Sequence, residues 1–286
     1  MKKILVTGIT GTVGMDIAKL LDKGKHPVKA AIRRQSIEKA KSVLGDGLEY
    51  VAFDFEKPET CAAAFKDVDR LFLMRPPAIS NTKKYINPVI DAAIENGVEH
   101  IVFLSLLGVE NNPIVPHYKI EKHILKKKIS YTFLRPSFFM QNLSEFYRED
   151  IKLRNEIFVP AGKGKTSFID CRDIAEIGAK ALMEEGHRNK AYPLTGSEAL
   201  DYFEVAEIFS EELGRKITYA DPTPGEYSKR MKEAGVAKEF ITVMQGIYFT
   251  ARIGFAKKVT ADTELLLGRP PITVRQFIKD YAHLWK

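Results

Sequence analysis

From the amino terminus to about residue 150, short apolar runs alternate with stretches in which apolar residues recur every three or four positions. Lys3-Ile4-Leu5-Val6 precedes a helical pattern carried by Val13, Ile17, Leu20 and Leu21. Val28 to Ile32 reads as a strand, and Ser36 to Leu44 as a helix with Ser36 as its cap. The next strand is Leu48 to Phe53, and Pro58 suits the first turn of the helix after it. Leu71-Phe72-Leu73 is the fourth strand, and Thr82 to Asn96 a long helix closed by Gly97. His100 to Leu104, a helix over Val115 to Lys127, and the strand Tyr131 to Leu134 complete the series. Strands apolar on both faces and separated by helices predict an α/β fold: a Rossmann-type, doubly wound parallel sheet covered on both sides.

After Pro136 the rhythm loosens. Phe168-Ile169 and Tyr192 to Thr195 read as short strands, with a helix from Arg172 to Glu184 between them. From Tyr202 onward the pattern is mostly helical, ending with Val274 to Leu284. The expected organisation is a dinucleotide-binding domain over residues 1–150, its sheet completed by segments from 155–200, and a smaller helical substrate lobe over 201–286. No internal repeat, low-complexity tract or long linker interrupts it.

Composition narrows the picture only a little. The chain has 286 residues, 45% hydrophobic and 28% charged, which is ordinary for a globular protein of this size. Its longest apolar stretch, Ile101 to Val109, contains Ser105 and Gly108 and is too short to span a bilayer. The charged start Met1-Lys2-Lys3 is not expected to be a leader peptide, because Thr7 and Gly8 end the apolar run after three residues. Cys61 and Cys171 form neither a close pair nor a ligand cluster, so they read as reduced thiols of a cytoplasmic protein with no metal site. The net charge of +7 is spread over helices and mixed with Glu; its densest run, Lys126-Lys127-Lys128, sits where cations complement a helix terminus. Solvated helix ends explain it better than a nucleic-acid surface, and neither nucleic acid nor membrane is an expected partner. Part of the charge would attract an anionic cofactor.

The chemistry begins between the first strand and the first helix. Thr7-Gly8-Ile9-Thr10-Gly11-Thr12-Val13-Gly14 has G-x-x-G-x-x-G spacing. Such a turn lets backbone approach a pyrophosphate and brings helix against strand, while the helix amino end supplies amide donors. Gly8, Thr10, Gly11, Thr12, Val13 and Gly14 are therefore the candidate diphosphate site. The second strand ends in Ile32-Arg33-Arg34, nineteen residues beyond Gly14. An NAD site usually places Asp or Glu there, whereas arginine pairs with a 2′-phosphate, so NADP(H) is preferred over NAD(H). Asp54-Phe55, past the third strand, are placed to contact adenine, and Met74-Arg75-Pro76-Pro77, past the fourth, to rim the crevice.

With these residues placed, the chain resembles the NmrA-like branch of the atypical short-chain dehydrogenases. That branch holds NAD(P)H:quinone oxidoreductases, triphenylmethane and azo-dye reductases, and redox-sensing regulators. The marks, besides the glycine turn, are Phe103-Leu104-Ser105, Tyr131-Thr132-Phe133-Leu134-Arg135-Pro136 with Asn142 downstream, Phe168-Ile169-Asp170-Cys171-Arg172-Asp173-Ile174-Ala175, and Tyr192-Pro193-Leu194-Thr195-Gly196. The resemblance implies a Rossmann domain with a small carboxyl-terminal substrate lobe and leaves the substrate open.

The catalytic group also stays open at this point. Tyr118 and Lys122 have the Tyr-x-x-x-Lys spacing of ordinary short-chain dehydrogenases, with Ser105 thirteen residues before Tyr118. In that chemistry the phenol exchanges a proton with the substrate, the lysine lowers its pKa and the serine orients the substrate. On the helix, however, Ile120, Ile124 and Leu125 define the buried side, with His117 near its centre, Glu121 beside it and Lys122 pointing away. The resemblance implies that many members of the branch carry His-x-x-x-Glu here. A third option needs no side-chain acid, since a quinone or dye accepts hydride directly and takes its proton from water. Ser137-Phe138-Phe139-Met140 is a candidate apolar wall, and Tyr227, Met231, Met244, Tyr248 and Phe249 are candidate pocket residues that suit plain core equally well. The leading expectation is an NAD(P)H-dependent oxidoreductase reducing a small flat electrophile by direct hydride transfer. A non-enzymatic NADP(H) sensor with a protein partner, and a nucleotide-sugar epimerase-like enzyme, are the alternatives.

Overall fold

The computed structural model describes residues 2–286; Met1, part of the charged start, lies outside the described residues. The chain divides into two units, Met1–Pro136 with Cys171–Leu194, and Ser137–Asp170 with Thr195–Lys286.

The first unit opens with β1 (Lys3–Val6), β2 (Val28–Ile32), β3 (Glu49–Ala52), β4 (Val68–Leu73), β5 (His100–Leu104) and β6 (Ser130–Pro136). The chain then runs through β7 (Phe138–Phe139), β8 (Glu156–Ile157) and β9 (Thr166–Ile169) of the second unit. It returns for β10 (Lys190–Leu194) and leaves again through β11 (Ala199–Leu200) and β12 (Thr218–Tyr219). Seven strands form one sheet in the order β3-β2-β1-β4-β5-β6-β10, with every pairing parallel. All residues of β2 and β5 are buried, as strands covered on both faces require. The reversal of strand order between β1 and β4 opens a crevice at their carboxyl ends.

Helices on the two faces close the core. Leu5, Phe65, Leu71, Phe103, Ile120 and Phe133 belong to one buried cluster, each such side chain contributing about 1.5–3 kcal/mol by leaving water. The helix Thr12–Lys23 packs closely against Cys171–Met183 because Gly178 has no side chain. A Cβ there would stand 2.8 Å from Ile17 Cδ1.

Three local expectations are corrected. The helix expected over Thr82 to Asn96 is broken into Thr82–Tyr85 and Asn87–Glu95, since Pro88 has no N–H and its ring crowds the carbonyl four residues back. Ser36 precedes the helix Ile37–Leu44, yet its side chain makes no cap hydrogen bond; it closes a tight Arg34–Ser36 turn instead. Leu125 is 40% exposed, because the helix Pro116–Lys127 buries Ile120, Glu121 and Ile124.

In the second unit β7 pairs parallel with β9 and β9 antiparallel with β11, while β8 and β12 form a separate parallel pair. Its helices include Tyr202–Leu213, Pro224–Glu233, Lys238–Arg252 and Val274–Tyr281. The first two start with capping boxes, Asp201 with Glu204 and Thr223 with Glu226. The core gathers Phe168, Tyr202, Phe209, Tyr248, Phe277 and Trp285. Among the described residues no helix is long and apolar enough to cross a membrane.

Candidate functional site

The glycine turn is built so that no side chain fits into it. Gly8 has φ +70°, and a Cβ there would lie 2.6 Å from Met74 Cε. A Cβ on Gly14 would lie 2.4 Å from the Gly8 carbonyl oxygen and 2.8 Å from that of Thr7, both backbone atoms that cannot give way. The Gly11 amide donates to the Gly8 carbonyl at 2.9 Å, closing the turn. Gly11 then leads into the helix Thr12–Lys23 with no side-chain cap and no acidic residue in its first turn. The result is a glycine turn, with the Met74 side chain beside Gly8, leading into the amino end of a helix, a setting that suits an anion. Thr7, quoted in the motif without a role, is the fastener: its hydroxyl donates to the Phe72 carbonyl at 3.0 Å and accepts from the Met74 amide at 2.8 Å. The ends of β1 and β4 are thereby tied together beneath the turn. Ile9 and Val13 are buried, while Thr10 is exposed.

Past β2, Arg33 and Arg34 are both exposed. A depression of about 340 Å³ lies between the segments that follow β2 and β3, lined by Arg34, Gln35, Ala52, Phe53, Asp54, Lys57 and Thr60. The spacing argument reaches Arg34 and Asp54 but not Lys57. The signal for Lys57 is its place on the loop beyond a parallel strand, where ligands of such sheets collect. Asp54 supports its own turn, accepting from the Glu56 amide at 3.0 Å, and Phe55 is 8% exposed with its ring edge-on to Phe53 at 4.9 Å. Past β4, Met74, Arg75 and Pro76 are half-buried. The Arg75 guanidinium donates to the carbonyls of Pro76, Pro77 and Ile79 at 2.8, 3.0 and 2.7 Å, which fixes the rim. Its Nε is buried without a partner, and burial lowers its pKa from the ordinary range.

Around the helix Pro116–Lys127 the four catalytic candidates, Ser105, His117, Tyr118 and Lys122, separate. Ser105 is buried and donates to Glu121 Oε1 at 2.6 Å. Arg135 reaches the same carboxylate from β6 with two nitrogens, at 3.1 and 2.7 Å, and Glu110 with a third at 3.1 Å. Burial works against the Arg135 charge, but the Glu121 and Glu110 carboxylates, with a smaller contribution from Tyr131, together hold the guanidinium above its ordinary range. Ser105, Glu121 and Arg135 are thus brought together, an arrangement the Tyr-x-x-x-Lys spacing does not anticipate. Tyr118 is half-buried and Lys122 exposed, and the Lys122 ammonium sits over the Tyr118 ring, 5.2 Å from its centre. His117 shares the helix face of Glu121, stacked on Phe103 at 6.0 Å, and its Nδ1 is buried without a partner. Burial first, and then the charge of Arg75, lower its pKa to about 3. It is therefore a neutral imidazole at pH 7, able to hydrogen-bond but not to deliver a proton as an imidazolium.

The remaining candidates lie in the second unit. The Ser137 hydroxyl donates to the Ser167 carbonyl, Phe138 and Phe139 are half-buried and Met140 is 1% exposed. Tyr227, Met244 and Tyr248 belong to that unit's core, Met231 packs on it, and Phe249 is 59% exposed. The Tyr248 hydroxyl donates to that of Tyr147, which lies 3.4 Å from the Tyr227 hydroxyl, so buried phenols satisfy one another.

The family profile described as the NmrA-like family matches residues 1–252. The NAD(P)H azoreductase of Xenophilus azovorans is 33% identical over 283 residues, covering 98% of each chain. The structure of the Citrobacter sp. triphenylmethane reductase complexed with NADP(H) superposes with a TM-score of 0.85 at 28% identity, over 97% of this chain and 99% of that one. An Escherichia coli NADPH-dependent quinone oxidoreductase complexed with NADPH gives 0.87 at 23% identity, over 99% and 100% of the two chains, a likeness of fold.

Proposed function

The chain belongs to the NmrA-like family, and on that premise we propose that it is an NADPH-dependent reductase of a small, flat electrophile such as a quinone or a dye. The observation that carries this reading is the glycine turn, where Gly8 and Gly14 put no side chain of their own into a tight turn at the amino end of a helix without a side-chain cap. NADPH, when bound, supplies the hydride. Gly8, Thr10, Gly11, Thr12, Val13 and Gly14 are the residues to hold its diphosphate, with Arg33 and Arg34 for the 2′-phosphate. Asp54 and Phe55 are assigned to the adenosine side, and Met74, Arg75 and Pro76 to the rim of the crevice.

The chain's own residues contribute orientation more than proton transfer. The Ser105 hydroxyl is committed to Glu121, and Lys122 is exposed, which speaks against a working Ser-Tyr-Lys relay and against the epimerase-like alternative that needs one. His117, neutral and with a free Nδ1, is assigned to orienting the substrate, with water as the proton source. A relative named as an NAD(P)H azoreductase and a neighbour named as a triphenylmethane reductase support an acceptor of this class.

Titration with NADPH and NADH, followed by nicotinamide fluorescence, tests the cofactor in the wild type and in Arg33→Asp. The expected result is tighter NADPH binding that the substitution weakens by about tenfold or more. A quinone and dye panel then tests the reaction. Demonstrated NADPH binding with no NADPH oxidation across the whole panel overturns the reductase reading and leaves a cofactor-binding sensor.

A further inference from the structure

Met74 is the first residue after β4, and it lies directly on the glycine turn. Its Cε and Sδ stand 2.6 and 3.1 Å from where a Cβ of Gly8 would be, and the same Cε 3.3 Å from that of Gly11. The main chain beneath it is pinned, since the Met74 amide donates to Thr7 Oγ1 at 2.8 Å. The side chain therefore cannot withdraw with its backbone, and whatever happens to the thioether happens against the turn. Met74 is also half-buried rather than enclosed, unlike Met140 at 1% and Met244 at 7% exposure. A thioether resting on the turn, in a half-buried residue, combines reactivity with consequence.

We propose that Met74 is a reversible sulfoxidation site whose oxidation closes the glycine turn to the cofactor, a reading that rests on the assignment of that turn to the diphosphate. The oxidant is a hydroperoxide. A sulfur lone pair attacks the terminal peroxide oxygen, the O–O bond breaks as the S–O bond forms, and the proton of that oxygen passes to the departing alkoxide, which leaves as an alcohol or as water. Sulfur loses two electrons and the peroxide gains them. The product places a polar oxygen with partial negative charge on a group that already fills the space beside Gly8 and Gly11. That oxygen repels a diphosphate and competes for the amides of the turn. Methionine sulfoxide reductases return the thioether, so the change is a switch rather than damage.

The experiment exposes the full-length protein to hydrogen peroxide, maps each methionine by peptide mass spectrometry, and measures the NADPH dissociation constant before treatment, after it, and after both sulfoxide reductases. Met74→Leu and, as a control, Met15→Leu, another half-buried methionine, in the helix Thr12–Lys23, are treated in parallel, each compared with its own untreated value. In the wild type and in Met15→Leu, affinity is expected to fall about tenfold or more and to recover on reduction. In Met74→Leu the ratio of treated to untreated affinity is expected to stay near one. Should that variant not fold, the loss in the wild type must follow Met74 sulfoxide occupancy rather than that of Met15. Equal losses in Met74→Leu and the wild type, or full Met74 oxidation with unchanged affinity, overturn the proposal. An untreated wild type that binds no NADPH instead overturns the cofactor assignment, and this switch with it.

Discussion

The two ends of the seven-stranded sheet handle their polar groups in opposite ways. At the amino end, His100 is 3% exposed, with Nδ1 2.9 Å from the Ser130 hydroxyl and Nε2 3.2 Å from that of Thr132. Thr132 donates its own proton to the His187 carbonyl at 2.7 Å, so it accepts from Nε2–H, and Nδ1 accepts from Ser130. Nearby on β2, the buried Lys29 ammonium donates to the Ala63 and Lys66 carbonyls at 2.9 and 2.8 Å. At the carboxyl end, by contrast, His117 Nδ1 and Arg75 Nε are buried without partners, and Gly8, Gly11 and Gly14 put no side chain of their own into the turn. An orphaned buried polar atom costs about 1–3 kcal/mol, a burden that a fold with no use for it tends to eliminate. The amino end is finished as structure. The carboxyl end is left incomplete in the manner of a surface that receives a ligand.

The largest effect expected from breaking this contrast comes from Gly14→Ala. Its Cβ meets backbone on two sides, so NADPH affinity should fall by about a hundredfold, with a stability loss of roughly 1–3 kcal/mol. Fluorescence titration beside thermal unfolding separates the two, and unchanged binding would show that the turn does not hold the cofactor.

The amino end should answer to pH rather than to cofactor. Burial first, then the charges of Arg188 and Arg70, lower the His100 pKa from 6.5 to about 4. The unfolded chain therefore takes up this proton first on acidification. The stability tied to neutral His100 is complete above about pH 6.5 and drains away as pH falls towards 4, by about 2 kcal/mol after allowance for solvent screening. Urea midpoints at pH 7 and pH 4.5 should move apart less in His100→Gln than in the wild type, with NADPH affinity at pH 7 unaltered. An identical pH dependence in both proteins removes His100 as the cause.

The smallest effect sharpens the catalytic question. Lys122→Ala loses an exposed cation resting on a ring, so stability should shift by no more than about 0.5–1 kcal/mol, and turnover by about twofold at most. A loss of about a hundredfold in kcat would restore the relay through Tyr118 and displace direct hydride transfer.

Much of the first unit was legible in one dimension, because its signals are local. The boundaries of Val28–Ile32 and His100–Leu104 follow from runs buried on both faces, and the glycine turn from its place between a strand and a helix. The break at Pro88 was missed: the ring forbids a continuous helix, but an apolar periodicity running past it concealed the stop. The partner of Ser105 was not legible. Serine, tyrosine and lysine at familiar spacings say nothing of the arginine that β6 brings to Glu121, and it is this ion pair that draws Glu121 and the Ser105 hydroxyl into one network.

By itself the sequence determined the parallel α/β sheet, its family and the glycine turn at the amino end of the first helix. Periodicity, glycine and proline act through the backbone within a few residues, and this is information a linear chain can hold. Only the tertiary structure decided that His117 is neutral beside Arg75, that Ser105 answers to Glu121, and that the Met74 thioether rests on Gly8. Those outcomes turn on distances between strands and loops far apart in the chain, and on burial that exists only once the sheet has formed.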